Sequence, residues 1–199
     1  MMPAYIKNKI WRSGMKKKLY IGIVAQIGAG KDTVARYIEV FYNAKALRSS
    51  DMLGEILEIL NLDPTKRAHL QKLPVAIRNT FGSKTISRAM VRRMKKQKEN
   101  IVIWNGIRYP SDVDEFRRLP NSILIGVVAP ESVRFRRIKE RKEKTGEENL
   151  TLKQFREEQG KETEINTLKL IDDADYKILN NKTLNTLHKQ IAHIIESQL

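Results

Sequence analysis

The run Ala25-Gln26-Ile27-Gly28-Ala29-Gly30-Lys31-Asp32-Thr33 carries the clearest chemistry in the chain. Glycines at 28 and 30 allow a turn whose backbone N–H groups converge. Where such a turn opens into a helix, it forms a nest for phosphate oxygens. A lysine at its end reaches the outer phosphates, and the oxygen ligand beside it helps to hold Mg2+. The expected ligands are therefore ATP and Mg2+, contacted by Gly28, Ala29, Gly30, Lys31, Asp32 and Thr33. Two positions depart from the usual pattern. Ala25 stands where the first glycine belongs, and Asp32 stands where Ser or Thr belongs, with Thr33 one place later. The plainer alternative is a strand-to-helix turn with an exposed lysine.

The surrounding pattern supplies the elements such a loop needs. Leu19 to Ala25 is almost purely apolar, as in a strand covered on both faces. Asp32 to Tyr42 reads as a helix with Val34, Ala35, Ile38 and Phe41 on one side. Ala44 to Leu47 reads as a short strand, and Met52 to Leu60 as an amphipathic helix with Asp51 at its cap. Pro64 and Thr65 open a helical stretch to Phe81, Gly82 ends it, and a basic helix runs on to Lys98. Ile101 to Trp104 and Ile123 to Val128 are buried strands, separated by a helix over Asp112 to Leu119. Pro130 opens a helix, Lys142 to Asn149 is polar, Tyr176 to Leu179 is a last strand and Thr183 to Ser197 a last helix. This alternation predicts an α/β fold with a parallel sheet covered on both faces, and ligands at the carboxyl ends of its strands.

Arg134, Arg137 and Arg141 follow at i, i+3 and i+7, so they share one helix face. That face suits an arginine-lined lid over phosphates; a solvated basic face is the alternative.

Composition narrows the classes. The 199 residues include no Cys, which excludes disulfides and thiolate chemistry. Lys and Arg number 38 against 23 Asp and Glu, a net charge of +15 that favours polyanionic partners. Much of the excess lies in a basic arm, residues 1–17, and in clusters from Lys84 to Lys98 and Arg134 to Lys144. Aromatic residues are 7% and do not interleave with the basic ones, so stacking platforms for nucleic acid are not evident. No stretch reaches the roughly 20 apolar residues that cross a bilayer. The expectation is a cytoplasmic protein, monomeric or homodimeric, without a membrane partner.

Further pieces follow in order: Arg67 with Leu70-Gln71, Arg78 with Phe81-Gly82, Asn105-Gly106-Ile107-Arg108 before Pro110, Ala129-Pro130 with Arg134 and Arg137, and Ala174-Asp175-Tyr176 leading to Asn180 and Asn181. With the Gly-Lys-Asp-Thr loop, they make residues 19–196 resemble the adenylate-kinase-like nucleoside and deoxynucleoside monophosphate kinases. They are also similar to dephospho-CoA kinase.

The resemblance implies a three-layer P-loop fold over residues 18–199 with a five-stranded parallel sheet in the order 2-3-1-4-5. It also implies an acceptor-binding region at about 51–98 and a lid at about 142–165. The implied activity moves the γ-phosphate of ATP to a small-molecule phosphate acceptor. Implied catalytic groups are Lys31, Asp32, Asp51, Arg108 and Arg137. Arg134, Asn180 and Asn181 would contact the nucleotide, the two asparagines at the adenine edge. Asp51, Arg67, Arg78 and Arg108 would hold the acceptor. Relatives carry Asp where this chain has Asn105, so Asp32, Thr33 and Asn105 form the implied metal set, with Asp32 supplying the displaced carboxylate.

Two other readings remain. Gln26-Ile27-Gly28, Gln159 and Ala174-Asp175-Tyr176 favour dephospho-CoA kinase, but Ser49-Ser50-Asp51 stands where that family has Asp-Ala-Asp. A nucleotide-binding protein associated with nucleic acid would account for the charge.

Overall fold

Five strands build the centre: β1 (Leu19–Ala25), β2 (Lys45–Leu47), β3 (Ile101–Asn105), β4 (Ser122–Val128) and β5 (Tyr176–Leu179). All pair in parallel, in the order β2-β3-β1-β4-β5. This is the expected sheet. Ile21 of β1 lies opposite Ile103 on one side and Ile123 on the other. The structure, a computed structural model, describes residues 17–141, 149–159 and 162–198. All but residue 17 of the expected basic arm, and residues 142–148 and 160–161 of the expected lid, lie outside the described residues.

The nine helices found among the described residues are α1 (Lys31–Tyr42), α2 (Ser49–Ile59), α3 (Arg67–Phe81), α4 (Thr85–Lys95), α5 (Pro110–Phe116), α6 (Glu131–Arg141), α7 (Leu152–Gln159), α8 (Glu162–Asp172) and α9 (Leu184–Glu196). Successive strand side chains point to opposite faces, so β1 feeds two cores. Leu19, Ile21 and Ile23 pack with Val34, Ala35 and Ile38 of α1 and with Leu187, Ile191 and Ile195 of α9. Tyr20 and Val24 pack on the other face with Met52, Met90, Trp104, Phe116 and Leu170. Each fully buried aliphatic side chain contributes roughly 1.5–3 kcal/mol. That is why the central strands, rather than local propensity, fix the frame. No described helix is long and apolar enough to cross a membrane.

Several boundaries differ from the sequence expectation. α2 begins at Ser49, three residues early, so Asp51 is not its cap. The indole Nε1 of Trp104 donates to Ser49 Oγ at 3.1 Å and ties the helix start to β3. Asp51 instead sits in the first turn, where a negative charge complements the helix dipole. Pro64 and Thr65 precede α3 in a turn closed by Asp63, whose carboxylate accepts from the Thr65 N–H at 2.8 Å and hydroxyl at 2.6 Å. α5 starts at Pro110 because the Asp112 carboxylate reaches back to the Tyr109 N–H at 3.2 Å. Helices α7 and α8 had no counterpart in the sequence reading.

Candidate active site

β1 ends at Ala25 and the chain turns through Gly28 and Gly30, whose φ angles are 78° and 98°. Both lie in the left-handed region that favours glycine. Space demands it as well: a Cβ on Gly28 would come within 2.7 Å of the Arg134 carbonyl, and one on Gly30 would collide with the Asn180 side-chain amide. Gly30 is the N-cap of α1 and no side chain caps that end. The first-turn N–H groups therefore face the loop, in the arrangement that binds anions.

The loop is braced from below. Arg134 is only 4% exposed. Its Nε donates to the Ala129 carbonyl at 3.0 Å, Nη1 to the Ile27 carbonyl at 3.2 Å and Nη2 to Gln159 Oε1 at 2.6 Å. The expected phosphate ligand thus gives one of these bonds to the loop's own backbone, at Ile27. Asn180 is buried too, and its Nδ2 donates to the Ala29 carbonyl at 2.8 Å. Arg137 grips Asn180 through the backbone oxygen at 3.0 Å and Oδ1 at 3.3 Å. Asn180 therefore holds the loop with its side chain, whereas Asn181 is exposed. The Arg141 side chain lies outside what is described.

A compact charged group sits at the start of α1. Lys31 Nζ meets Asp32 Oδ2 at 2.6 Å, and Arg48 Nη2 meets Asp32 Oδ1 at 2.9 Å. Asn105, at the end of β3 and 3% exposed, donates from Nδ2 to the same Oδ1 at 2.8 Å. Burial would raise the Asp32 pKa, but the Lys31 hydrogen bond and charge, the Asn105 amide and Arg48 outweigh it and hold it below the usual carboxylate value. Burial lowers the Lys31 pKa; Asp32 pulls it back up while Arg48 and Arg108 push it down. Arg108, beyond Gly106 at the same strand end, is therefore near enough to act on Lys31.

Asn105 Oδ1 is buried and has no hydrogen-bond partner. Rotating the amide would set this oxygen against the Asp32 carboxylate, so its orientation is fixed. A buried acceptor left open in this way calls for a ligand. Mg2+ is typically held by one or two carboxylates together with substrate phosphates. Asp32 and Asn105 fit that arrangement, and no group of three or more His, Asp or Glu suited to a metal occurs among the described residues. Thr33 is exposed beside them on the first turn of α1.

The residues expected to hold an acceptor are assembled differently. Arg78 lies over the Tyr109 ring at 3.7 Å and 3.9 Å from Asp112 Oδ1, with its Nε buried and without a hydrogen-bond partner. Asp112 also accepts from Ser87 Oγ at 2.6 Å and from the Arg108 backbone at 3.3 Å. Asp51 is exposed. Arg67 opens α3, but its side chain is outside what is described. Asp175 is structural: it takes both Arg117 guanidinium nitrogens, at 2.6 and 3.0 Å, and the Leu124 N–H at 2.6 Å, locking β5 to β4.

The structure thus brings Lys31, Asp32, Arg48, Asn105 and Arg108 together. Arg48 was missed, although its place just after β2, at a strand's carboxyl end, was the available signal. Arg134 and Gln159 were singled out, but their pairing depends on long-range packing.

The chain has the fold of the P-loop kinases. It superposes on shikimate kinase from Bacteroides thetaiotaomicron with a TM-score of 0.60 at 14% identity, covering 90% of this chain and 97% of that one. Dephospho-CoA kinase from Campylobacter jejuni gives 0.56 at 16% identity, covering 89% and 96%. In sequence it is 26% identical over 176 residues to a UPF0200 protein of Methanothermobacter thermautotrophicus, 88% of each chain. It is 28% identical over 184 residues to a UPF0200 protein of Methanocaldococcus jannaschii, 91% of each. No family profile matches the chain.

Proposed function

We propose that the chain is an ATP-dependent phosphotransferase whose acceptor is a nucleoside or deoxynucleoside monophosphate. The observation that carries this reading is the convergence of Lys31, Arg48 and Arg108 with Asp32 and Asn105 at the uncapped start of α1. Phosphoryl transfer asks for positioning and charge neutralisation more than for covalent chemistry, and this group offers both. A second guanidinium, Arg78 stacked on Tyr109, supports an acceptor that itself bears a phosphate.

In this scheme the loop N–H groups hold the ATP phosphates and Lys31 leaves Asp32 to meet them. Asp32 and the open Asn105 Oδ1 would hold Mg2+, which neutralises phosphate charge when bound. An acceptor oxygen attacks the γ-phosphorus in line, the bond to the β–γ bridging oxygen breaks, and ADP departs. Arg108 and Arg137 steady the transferring group. Asp51 takes the proton if the acceptor enters as a hydroxyl or orients it otherwise, Arg67 adds charge on the acceptor side, and Asn181 lies toward the adenine. The segment around α7 closes as a lid.

Dephospho-CoA kinase is the second reading. It draws on Gln159, which the structure joins to Arg134, and on the shared fold. The test is ADP release from ATP against a panel of nucleoside monophosphates, deoxymonophosphates, dephospho-CoA and shikimate. Stimulation by a monophosphate is expected. Stimulation by dephospho-CoA alone would install the second reading, and a chain that neither binds nor consumes ATP would end both.

A further inference from the structure

Away from the loop, α4 and α5 enclose a groove of about 530 Å³ lined by Thr85, Arg88, Val91, Arg92, Glu115 and Arg118. It shares no residue with the phosphate loop or with Arg78 and Arg108, although Thr85, Arg88, Val91 and Arg92 fall inside the stretch expected to bind the acceptor. Its floor holds an unusual group: the Glu115 side chain is 5% exposed, while Arg88 and Arg118 beside it are 60% and 64% exposed. Arg88 Nε and Arg118 Nη1 both approach Glu115 Oε1, at 3.5 and 3.4 Å. Neither makes a hydrogen bond, and that buried oxygen has no such partner.

Two guanidiniums side by side repel. Here one buried carboxylate pins both, each with most of its N–H donors turned to solvent. Arg92 stands one helical turn beyond Arg88 and makes no ion pair among the described residues. Three arginines against one carboxylate leave a net charge of +2 in the groove, from +3 and −1. A phosphate monoester carries about −1.5 to −2 at neutral pH and accepts the arginine fork in two-point contacts. Val91 adds an apolar wall that suits the carbon body of such a molecule.

We propose that the α4–α5 groove is a second binding site, for a phosphate monoester, with Arg88, Arg92 and Arg118 as its anion ligands and Glu115 as the residue that positions them. A diester backbone of nucleic acid offers the same phosphate chemistry with half the charge per group, and the test separates the two sources. Calorimetry is performed on Lys31→Ala/Arg108→Ala protein, which weakens the competing loop site. The probes are inorganic phosphate, phenyl phosphate and a short RNA.

One equivalent of phenyl phosphate should bind, and Arg92→Ala should weaken it by about tenfold, the loss of one charged fork. Because Arg92 makes no described ion pair, that variant tests the site without disturbing the Glu115 group. Glu115→Gln is the sharper variant. Net charge alone predicts tighter binding when the carboxylate is neutralised; the pinned arrangement predicts weaker binding, and weaker binding is expected. Absence of monoester binding, or binding that Arg92→Ala leaves unchanged, overturns the site. So does RNA binding through these arginines without binding of phenyl phosphate. Tighter binding by Glu115→Gln overturns the role of Glu115.

Discussion

The two halves of the cleft are built on different principles. On the side of the phosphate loop, buried residues hold backbone: Arg134 and Asn180 fasten the loop through the Ile27 and Ala29 carbonyls, and Arg134 also holds the Ala129 carbonyl after β4. On the acceptor side, Asp51 is exposed and Arg78 is held by a ring face and one distant carboxylate. A polar group buried against backbone cannot be moved without leaving partners unsatisfied, whereas an exposed side chain can be replaced at little cost. The loop side is therefore the constrained half, and under the proposed function the Asp51 and Arg78 side is where specificity can vary while the frame persists.

The largest effect should come from the constrained half's one mobile charge. Lys31→Ala should lower turnover by about 10²–10³-fold, the usual loss when a preorganised charge donor is removed from a transition state. The fold should persist, because Lys31 contacts only Asp32 among its described side-chain partners. Steady-state kinetics with circular dichroism checks both; substantial activity in folded variant protein would remove the loop from the mechanism.

Arg134→Ala should break the contrast from below. It strips hydrogen bonds from the buried carbonyl of Ala129 and the half-buried carbonyl of Ile27, at a cost of about 2–4 kcal/mol. For a chain of this size that lowers Tm by about 5–10 °C. ATP affinity should fall with it, although Arg134 need never touch ATP. Asp51→Asn, on the open side, should leave Tm and the KM for ATP unchanged and reduce kcat with a monophosphate acceptor by about tenfold through lost orientation. Equal losses of Tm in the two variants would erase the distinction between the halves.

How much of this was legible follows from the same contrast. The strands could be read because buried runs such as Ile101 to Trp104 carry their signal locally. The phosphate loop could be read because its parts are contiguous. The link between Asp32 and Asn105 was visible as an exchanged carboxylate, and the two side chains do meet, at 2.8 Å. The role of Arg134 was not legible, since helix spacing shows which residues share a face but not whether that face meets backbone or solvent. The start of α2 was misplaced because the contact that sets it, from Trp104 to Ser49, spans 55 residues. Helix α7 escaped notice because only Phe155 of its apolar side chains is buried.

The Asp32–Asn105 exchange itself can be sharpened. Asp32→Asn should raise the Mg2+ concentration for half-maximal activity several-fold, since Asn accepts a cation but cannot neutralise it. Asn105→Asp sets two carboxylates against each other where an amide now donates to Asp32 at 2.8 Å, so it should be tolerated only with Mg2+ bound between them. An Mg2+ dependence unchanged in both variants would take the pair out of metal binding.

The smallest expected effect lies behind the loop, where His188 of α9 stacks on Tyr37 of α1 with ring centroids 4.1 Å apart. Burial of the ring lowers its pKa below the ordinary 6.5. With the folded value lower than the unfolded one, the unfolded chain binds more protons in the interval between them, so stability rises with pH there. The cost of keeping the ring neutral or charging it against its surroundings is largest below the folded pKa and disappears above 6.5. His188→Phe keeps the stack and removes the titration. Urea unfolding of wild type at pH 5 and pH 7.5 should therefore show stability rising with pH. The gain should be smaller in the variant by the His188 share. Identical gains would mean that His188 titrates alike in the folded and unfolded chains and that the stack places no constraint on α1. A gain that disappears with the ring would show the helix behind the phosphate loop to be held by a contact that acid loosens.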